Sequence, residues 1–248
     1  MPINDRTKKI LDYLKETNSA SVEELASMLY VSGATIRRDL NKMQKLGQIE
    51  RSHGGAILME NADEISIFIR QTKNAREKEN VASIALKHLP PFKTVFIDNS
   101  STCLALAGRM NFAYKTVVTN GLQIATKIAG RDNITLIMPG GEIKSNTTAL
   151  TGSFAINSLK NFRFDVALLS CAAVNKDGAY EFSLESSQIK QAVMQNSKIN
   201  ILLFDKTKMD TVSHYHTALL HEYDMIFTNS TKKELELIHT HGCNFINE

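Results

Sequence analysis

Residues 31–40 read VSGATIRRDL, and they predict a short helix whose two sides differ in chemistry. Ser32 is a residue type that caps the start of a helix, and Gly47 is one that ends it. Between them, apolar residues recur at the spacing of one helical face: Ile36, Leu40, Met43 and Leu46. The opposite side carries cations, a hydroxyl and an amide in two adjacent rows: Thr35, Arg38 and Lys42, then Arg37, Asn41 and Lys45. Such a helix suits the major groove of DNA, where arginine binds guanine edges and lysine and threonine reach phosphates.

The preceding residues predict two further short helices. Asp5–Glu16 has its apolar residues on one side, and Ser21 with Glu24 three residues later is the signature of a capping box that starts the second helix. Three helices with a basic third one are typical of a helix-turn-helix DNA-binding domain.

A hairpin is predicted after the third helix. Gln48–Arg51 and His53–Leu58 are two short extended segments joined near Ser52, and Gly54–Gly55 allows a tight bend. This hairpin is a wing that would lie along the neighbouring DNA backbone or minor groove. Residues 1–58 are therefore predicted to form a winged helix-turn-helix domain.

A run of charges is often no more than a solvated helix face. Here it occurs together with the two short helices, the tight turn and the glycine-bearing hairpin, and this combination favours DNA binding. Among single residues, Lys45 has the alternative of facing solvent, and His53 that of capping the wing turn. The predicted DNA-binding residues are Ser32, Thr35, Arg37, Arg38, Asn41, Lys42, Arg51 and His53.

A second, larger domain is predicted over residues 73–248, after a linker over residues 59–72. Its first helix, Lys73–Leu89, ends at Pro90–Pro91. Short β-branched runs then alternate with helix-length segments, which predicts an α/β fold with a mainly parallel sheet covered on both faces. The predicted strands are Thr94–Asp98, Lys115–Thr119, Ile134–Met138, Asp165–Ser170, Ile199–Phe204 and Met225–Thr228. The predicted helices between them include Ser101–Met110, Leu122–Ala129 and Glu185–Ser197.

Polar and glycine residues follow several of these strands. Ligands of parallel sheets bind outside the carboxyl ends of the strands, where hydroxyls and free backbone N–H groups hold anions. Carboxylates there accept hydrogen bonds from sugar hydroxyls, and lysines neutralise a phosphate. Each of these groups also has a purely structural role open to it. Ser100–Thr102 could cap the following helix, Gly140–Gly141 could turn the chain, and Asp205 could pair with Lys208. Candidate residues at the strand ends are Asp98, Ser100, Ser101, Thr102, Asn120, Gly140, Gly141, Asp205 and Lys208.

These motifs resemble those of the DeoR family of bacterial sugar-metabolism regulators. In the head, the resemblance rests on residues 31–40, on Leu46–Gly47 and on RSHGGA at 51–56. It implies that the third helix is the recognition helix and that Thr35, Arg37 and Arg38 bind an operator.

The resemblance continues through the second domain. It rests on Asp98 with Ser100–Thr102, Val118–Asn120, Gly140–Gly141, Gly152, Gly178, Lys190, and Asp205 with Lys208. It implies a sensor domain similar in fold to ribose-phosphate isomerases that binds a phosphorylated sugar effector, and it adds Lys190 to the effector site. One departure stands out, because Ser100 and Ser101 replace the glycine and the first threonine of the family's Asp-x-Gly-Thr-Thr loop.

Three other functions are alternatives for this sequence. A sugar-phosphate isomerase fused to a DNA-binding head would use Asp98, Glu185, Lys190 and Asp205 as acids and bases, but the attached DNA reader makes sensing the economical role. A dinucleotide-binding redox sensor would need a G-x-G-x-x-G motif after a strand, and no predicted strand of this sequence is followed by one. A metal-responsive repressor would use histidine clusters that lack zinc-finger spacing: His214, His216 and His221, then His239, His241 and Cys243.

The composition of the chain indicates where it acts and what it binds. No apolar run is long enough to span a bilayer, the N-terminus is charged from Asp5 onward, and the three cysteines form no C-x-x-C motif. We therefore expect a cytoplasmic, non-enzymatic transcriptional regulator, a repressor of a sugar-utilisation operon, with no cofactor, bound metal or membrane contact. Its expected partners are double-stranded operator DNA, a phosphorylated sugar and further copies of the chain in a dimer or tetramer, since one winged helix binds weakly.

Overall fold

A computed structural model describes residues 3–17, 19–45, 49–52, 54–58, 67–144, 147–211, 213–238 and 242–248. The chain divides into two compact units, Met1–Ile69 and Arg70–Glu248. No helix in the described ranges is both long enough and apolar enough to cross a membrane.

The first unit contains the three predicted helices and the predicted hairpin. Its elements are α1 Ile3–Thr17, β1 Ser19–Ser21, α2 Val22–Leu29, α3 Gly33–Lys45, β2 Ile49–Ser52 and β3 Gly55–Leu58. β3 pairs antiparallel with both β2 and β1, so the hairpin is the larger part of a three-stranded sheet. β1 was not predicted, because three residues are too short to show a strand's alternation. The predicted helix end at Gly47 and His53 of the wing lie outside the described residues.

Local chemistry accounts for the start of two helices. The Ser21 hydroxyl accepts from the Glu24 backbone N–H at 3.1 Å, and the Glu24 carboxylate accepts from the Ser21 N–H at 2.7 Å, which confirms the predicted capping box. Ser32 caps α3 by accepting from the Thr35 N–H at 3.2 Å. The apolar faces of the helices then pack into one core that includes Ile10, Leu14, Leu25, Ile36, Leu40, Met43 and Ile49.

A buried ion pair joins α1 to α3. The Arg6 guanidinium donates to both oxygens of Asp39, at 2.5 Å from Nε and 3.0 Å from Nη2, and both residues are less than a tenth exposed. Bidentate pairing fixes both distance and orientation. The pair therefore holds the inner side of α3 against α1.

Asp39→Ala is expected to lower the free energy of unfolding of this unit by about 1.5–3 kcal/mol, the range for hydrogen bonds to charged groups. Arg6 would lose both carboxylate oxygens of Asp39. Chemical denaturation followed by circular dichroism measures the change. Glu16→Ala, an exposed substitution on α1, is the control, and equal stability of the two variants would contradict the proposed role of the pair.

The second unit is built around a sheet of seven parallel strands. In chain order its elements are α5 Ala75–His88, β4 Thr94–Ile97, α6 Ser101–Ala107, β5 Lys115–Thr119, α7 Leu122–Ile128, β6 Ile134–Ile137, β7 Glu142–Lys144, β8 Ala149–Thr151, α8 Gly152–Leu159, β9 Phe164–Ser170, β10 Ala173–Asn175, β11 Gly178–Glu181, α9 Leu184–Met194, β12 Ser197–Phe204, β13 Tyr215–Ala218, β14 Met225–Thr228, α10 Lys232–Glu236 and β15 Phe245–Ile246. Helix α4, Ile67–Thr72, spans the boundary between the units.

The strand order of the main sheet is β15-β14-β12-β9-β4-β5-β6, and every pairing in it is parallel. Side chains alternate across it: Phe96 belongs to one apolar cluster, whereas Val95 and Ile97 belong to the other. The sheet is therefore buried on both faces, and the predicted α/β class is confirmed. All six predicted strands are present, with ends that differ by no more than two residues.

Several short elements were not predicted. β7 and β8 form an antiparallel pair, β10, β11 and β13 form a small antiparallel sheet, and β15 adds an edge strand. The pattern that predicts a buried strand needs about four consecutive apolar residues, and these segments are too short or too polar to show it.

Candidate functional site

The exposed side of α3 presents the predicted cationic surface. Arg37, Arg38, Asn41 and Lys42 are exposed, and Thr35 is half-buried. Ile36, Leu40 and Met43 are buried on the opposite side, as predicted. The first unit thus carries a rigidly packed helix whose outer face can donate hydrogen bonds to phosphates and base edges.

Two side-chain hydrogen bonds join predicted DNA-binding residues to one another. Ser32 caps α3, and its Oγ lies 2.9 Å from Thr35 Oγ1. Arg51 on β2 donates from Nη1 to Asn41 Oδ1 at 3.3 Å, which brings the first strand of the hairpin to the exposed side of α3. His53 lies outside the described residues, as does the Lys45 side chain.

In the second unit, the main sheet has a topological switch point. From β4 the chain first adds β5 and β6 on one side, and later adds β9, β12 and β14 on the other. Crevices at such a point are the usual ligand sites of open parallel sheets. Asp98 directly follows β4, and its Oδ2 accepts from the Ser170 N–H at the end of β9 at 2.9 Å. Asp98 therefore lies at the switch point.

Lys190 is engaged by this carboxylate and by a second one. Its Nζ lies 2.8 Å from Asp98 Oδ2 and also donates to Glu181 and to the Ser170 carbonyl. Burial would lower the pKa of Lys190, but the charges of Asp98 and Glu181 and their hydrogen bonds raise it overall. An ammonium has three donors, and three protein acceptors occupy them. Lys190 thus positions Asp98, rather than pointing at an incoming phosphate.

Glu181 was missed by the sequence analysis. It lies in the short strand β11 and is buried. The only sequence signal was a glutamate between Tyr180 and Phe182, and its partner lies on another element.

The three hydroxyl residues of the loop after β4 differ in their roles. Ser100 caps α6 by accepting from the Cys103 N–H at 3.0 Å, which is the structural alternative named for it. Ser101 and Thr102 are buried in the first turn of α6. Asn120 Oδ1 accepts from the Asn99 N–H at 3.1 Å, so the ends of β4 and β5 are tied together.

The glycine pair after β6 is required by the backbone. Gly140 and Gly141 have φ of 74° and 112°, and a Cβ on Gly141 would lie 2.4 Å from the Thr151 carbonyl oxygen. Both values are in the region that glycine alone adopts at little cost. These two glycines therefore turn the chain at the edge of the site, which is the structural role named above as the alternative to ligand binding.

The loop after β12 contains a fully buried carboxylate. Asp205 Oδ1 accepts from the Thr207 N–H at 3.1 Å and from the Thr207 hydroxyl, while Oδ2 is buried without a partner in the described part of the chain. Asp98 Oδ1 and Asn99 Oδ1 are in the same state. Asp205 and Lys208, both described, do not form an ion pair. Buried acceptors are normally satisfied, so these oxygens suit a ligand that brings hydroxyl donors.

A buried lysine that was not predicted adds positive charge beside Asp205. Lys78 on α5 is 5% exposed, and its Nζ donates to the Lys73 carbonyl. Burial lowers the pKa of Lys78; the charge of Asp205 opposes this, and Lys208, Arg70 and Lys73 lower it further. Asn74, the N-cap of α5, donates from Nδ2 to Thr207 Oγ1 at 3.0 Å, so the first turn of α5, which carries Lys78, lies against the loop that contains Asp205 and Lys208. A signal existed in the sequence, because Lys78 shares the inward helical face of Val81 and Ala85.

The structure therefore brings carboxylates and cations together at one edge of the sheet. Unsatisfied acceptors of Asp98 and Asp205 suit hydroxyl groups, and Lys78 with Lys208 suits an anion. Among the described residues, no group of three histidine, cysteine or acidic side chains could hold a metal ion, and His239 and His241 fall outside them.

Two family models and the curated relatives agree on one family. The model of the DeoR C-terminal sensor domain matches residues 73–230, and that of the DeoR-like helix-turn-helix domain matches residues 6–62. The chain is 31% identical to the HTH-type transcriptional regulator GolR of Listeria innocua, over 91% of this chain and 90% of that protein. It is 28% identical to the glycerol-3-phosphate regulon repressor of Escherichia coli, over 93% and 92%. The structural match to ribose 5-phosphate isomerase A of Methanocaldococcus jannaschii covers 54% of each of the two chains, with a TM-score of 0.38 and 14% sequence identity.

Proposed function

The chain belongs to the DeoR family of transcriptional regulators, and on that premise we propose that it represses a sugar-utilisation operon under the control of a phosphorylated sugar. One observation carries the proposal: Asp98 and Asp205, which follow strands of the main sheet, have buried carboxylate oxygens without a partner in the described residues, and the loop of Asp205 also carries Lys208 and contacts the start of α5, where Lys78 lies. The name of the glycerol-3-phosphate regulon repressor supports an effector of this chemistry.

The proposed division of labour follows the sequence boundaries. Residues 1–58 read operator DNA, residues 59–72 link, and residues 73–248 sense the effector. Thr35, Arg37 and Arg38 contact bases or phosphates of the operator. Asn41, Lys42 and Arg51 contact the neighbouring sugar-phosphate backbone of the DNA. The protein acts in the cytoplasm as a dimer or tetramer, because paired heads on repeated half-sites multiply the weak affinity of one.

The effector is oriented by charge. Its phosphate lies near Lys208 and Lys78, and its hydroxyls face Asp98 and Asp205, because carboxylates repel a dianion and accept from neutral hydroxyls. Lys190 holds Asp98 in place through their 2.8 Å ion pair. No turnover of the sugar is proposed, and an assay for interconversion of pentose and hexose phosphates checks this part.

A thermal-shift screen of sugar phosphates and their unphosphorylated parents tests the effector class. At a hundredfold excess over Kd, a sugar phosphate is expected to raise Tm by roughly 5–10 °C. Lys208→Ala should remove most of this shift. Lys93→Ala, an exposed change just before β4 at the opposite edge of the sheet, should keep it. Equal shifts from the free sugars would contradict a phosphate-binding role.

Ser100→Gly restores the residue that the family has in this loop. It is expected to cost only a few tenths of a kcal/mol of stability, because glycine is a tolerated N-cap. Sugar-phosphate affinity should be kept or improved, since the Ser100 hydroxyl is already used by the Cys103 N–H. Calorimetric titration of both proteins checks this, and complete loss of binding would show that the hydroxyl is a ligand group.

A further inference from the structure

A cleft opens between α5, α6 and α7 in the second unit. Its volume is about 560 Å³. Its lining includes Gln71, Lys78, Ser101, Gly108, Arg109 and Lys127. This cleft is not explained by the roles assigned so far.

The floor of the cleft is one face of α6. Ser101, Leu104, Ala105 and Gly108 lie on that face at helical spacing and are mostly small. A Cβ on Gly108 would lie 3.3 Å from Lys127 Cε, so the Lys127 side chain extends across this glycine from α7. The glycine therefore makes room for a lysine at the end of the cleft.

The cleft has an excess of positive charge. Lys78, Arg109 and Lys127 line it, against the single carboxylate of Glu79. Arg109 is held in the wall, since its Nη1 donates to Ser83 Oγ at 2.7 Å and lies 3.4 Å from Glu79 Oε2. Lys127 is exposed and has no ion pair within the described ranges.

The cleft also contains an unused amide donor. The Gln71 Nε2 atom is buried and has no hydrogen-bond partner in the part of the chain that the structure describes. Surplus donors and surplus cations together suit a ligand group that is anionic and accepts hydrogen bonds.

The cleft reaches the two segments that carry the effector-site carboxylates. Ser101, which lines it, follows Asp98 by three positions. Lys78, which also lines it, lies in the first turn of α5, whose N-cap Asn74 donates to Thr207 Oγ1 at 3.0 Å in the loop of Asp205. Gly108, the C-cap of α6, comes seven positions after Ser101, which corresponds to about 10 Å along the helix axis. One extended ligand could therefore reach from the switch point to Lys127.

We infer that the effector of this regulator carries a second anionic group, a phosphate or a carboxylate, which binds in this cleft beside Arg109 and Lys127. The inference rests on the proposed function and narrows its ligand class to sugars charged at both ends. Arg109 and Lys127 are specificity-determining residues in this account, because a sugar with one phosphate at the switch point brings no anion to this cleft.

Calorimetric titration of the full chain tests the inference with named probes. Fructose 1,6-bisphosphate, glucose 1,6-bisphosphate and 6-phosphogluconate carry two anionic groups, and fructose 6-phosphate and glucose 6-phosphate carry one. At least one doubly charged probe should bind about tenfold more tightly than its singly charged counterpart, the value of one charge-assisted contact. Preference for the bisphosphates or for 6-phosphogluconate distinguishes a second phosphate from a carboxylate.

Two variants assign the preference to the cleft. Lys127→Gln should reduce the tenfold advantage to within about threefold and leave the affinity for singly charged probes unchanged. Lys87→Gln, an exposed lysine near the end of α5, should keep the full advantage. Equal binding of both classes to the wild type, or an advantage that survives Lys127→Gln, would overturn the inference while leaving the proposed function intact. Failure of every probe to bind, together with no response to any compound in the thermal-shift screen of sugar phosphates, would overturn both.

Discussion

Replacing Arg37 and Arg38 together by alanine is expected to lower operator affinity at least tenfold. A good base contact from an arginine contributes about 1–3 kcal/mol, and phosphate contacts add a salt-dependent part. Both side chains are exposed on α3, whereas Ile36 before them and Leu40 after them are buried. The substitutions therefore remove contacts with DNA and leave the packing of the helix unchanged. Alanine also favours the helix.

Fluorescence anisotropy with an operator selected from a random DNA library measures this effect. The double variant Lys8→Ala and Lys9→Ala is the control, because it removes the same charge from exposed positions on α1. It should bind within a few-fold of the wild type. Wild-type affinity in the arginine variant, or an equal loss in the lysine control, would contradict the assignment of α3 as the recognition helix.

Replacing Lys190 by methionine is expected to lower the free energy of unfolding of the second unit by about 3–5 kcal/mol. The change leaves Asp98 and Glu181 buried without their shared cation, and removal of one partner from a buried charge network has this magnitude. The raised pKa of Lys190 means that the lysine is charged throughout the neutral range, so the loss should be constant there.

Lys198→Met provides the matched control for that variant. Its ion pair with Asp165 is 2.7 Å long, but the lysine side chain is 76% exposed. Such a surface pair contributes about 0–1 kcal/mol. Adding Glu181→Gln to Lys190→Met should recover part of the stability, because one unpaired charge is removed. Denaturation curves that do not separate Lys190→Met from Lys198→Met would contradict the buried network.

Much of the fold could be predicted because its signals are local. The Ser21–Glu24 capping box, the apolar face of α3 and the β-branched runs of the main sheet depend on neighbours within a few residues. Strands such as β1 and β10 could not be predicted, because they are three residues long and exist only through pairing with distant segments.

The candidate site was predicted less completely for a related reason. Asp98 and Asp205 were found because strand ends of a parallel sheet meet at one edge. Glu181 and Lys78 were missed, since their importance comes from partners on other elements, Lys190 and Asp205. Ser100 shows the reverse case, in which a predicted ligand residue is a helix cap in the structure.

The central claim is that a phosphorylated sugar controls operator binding through the switch point of the second unit. Titration of the protein–operator complex with sugar phosphates and with their unphosphorylated parents tests it most directly. A phosphorylated compound should change operator affinity by about 5- to 150-fold, the usual range of coupling between two sites. The effect should vanish with the free sugar and with Lys208→Ala or Ser101→Ala, while both variants still bind the operator. An equal effect of the free sugar, or an undiminished effect in both variants, would contradict the account.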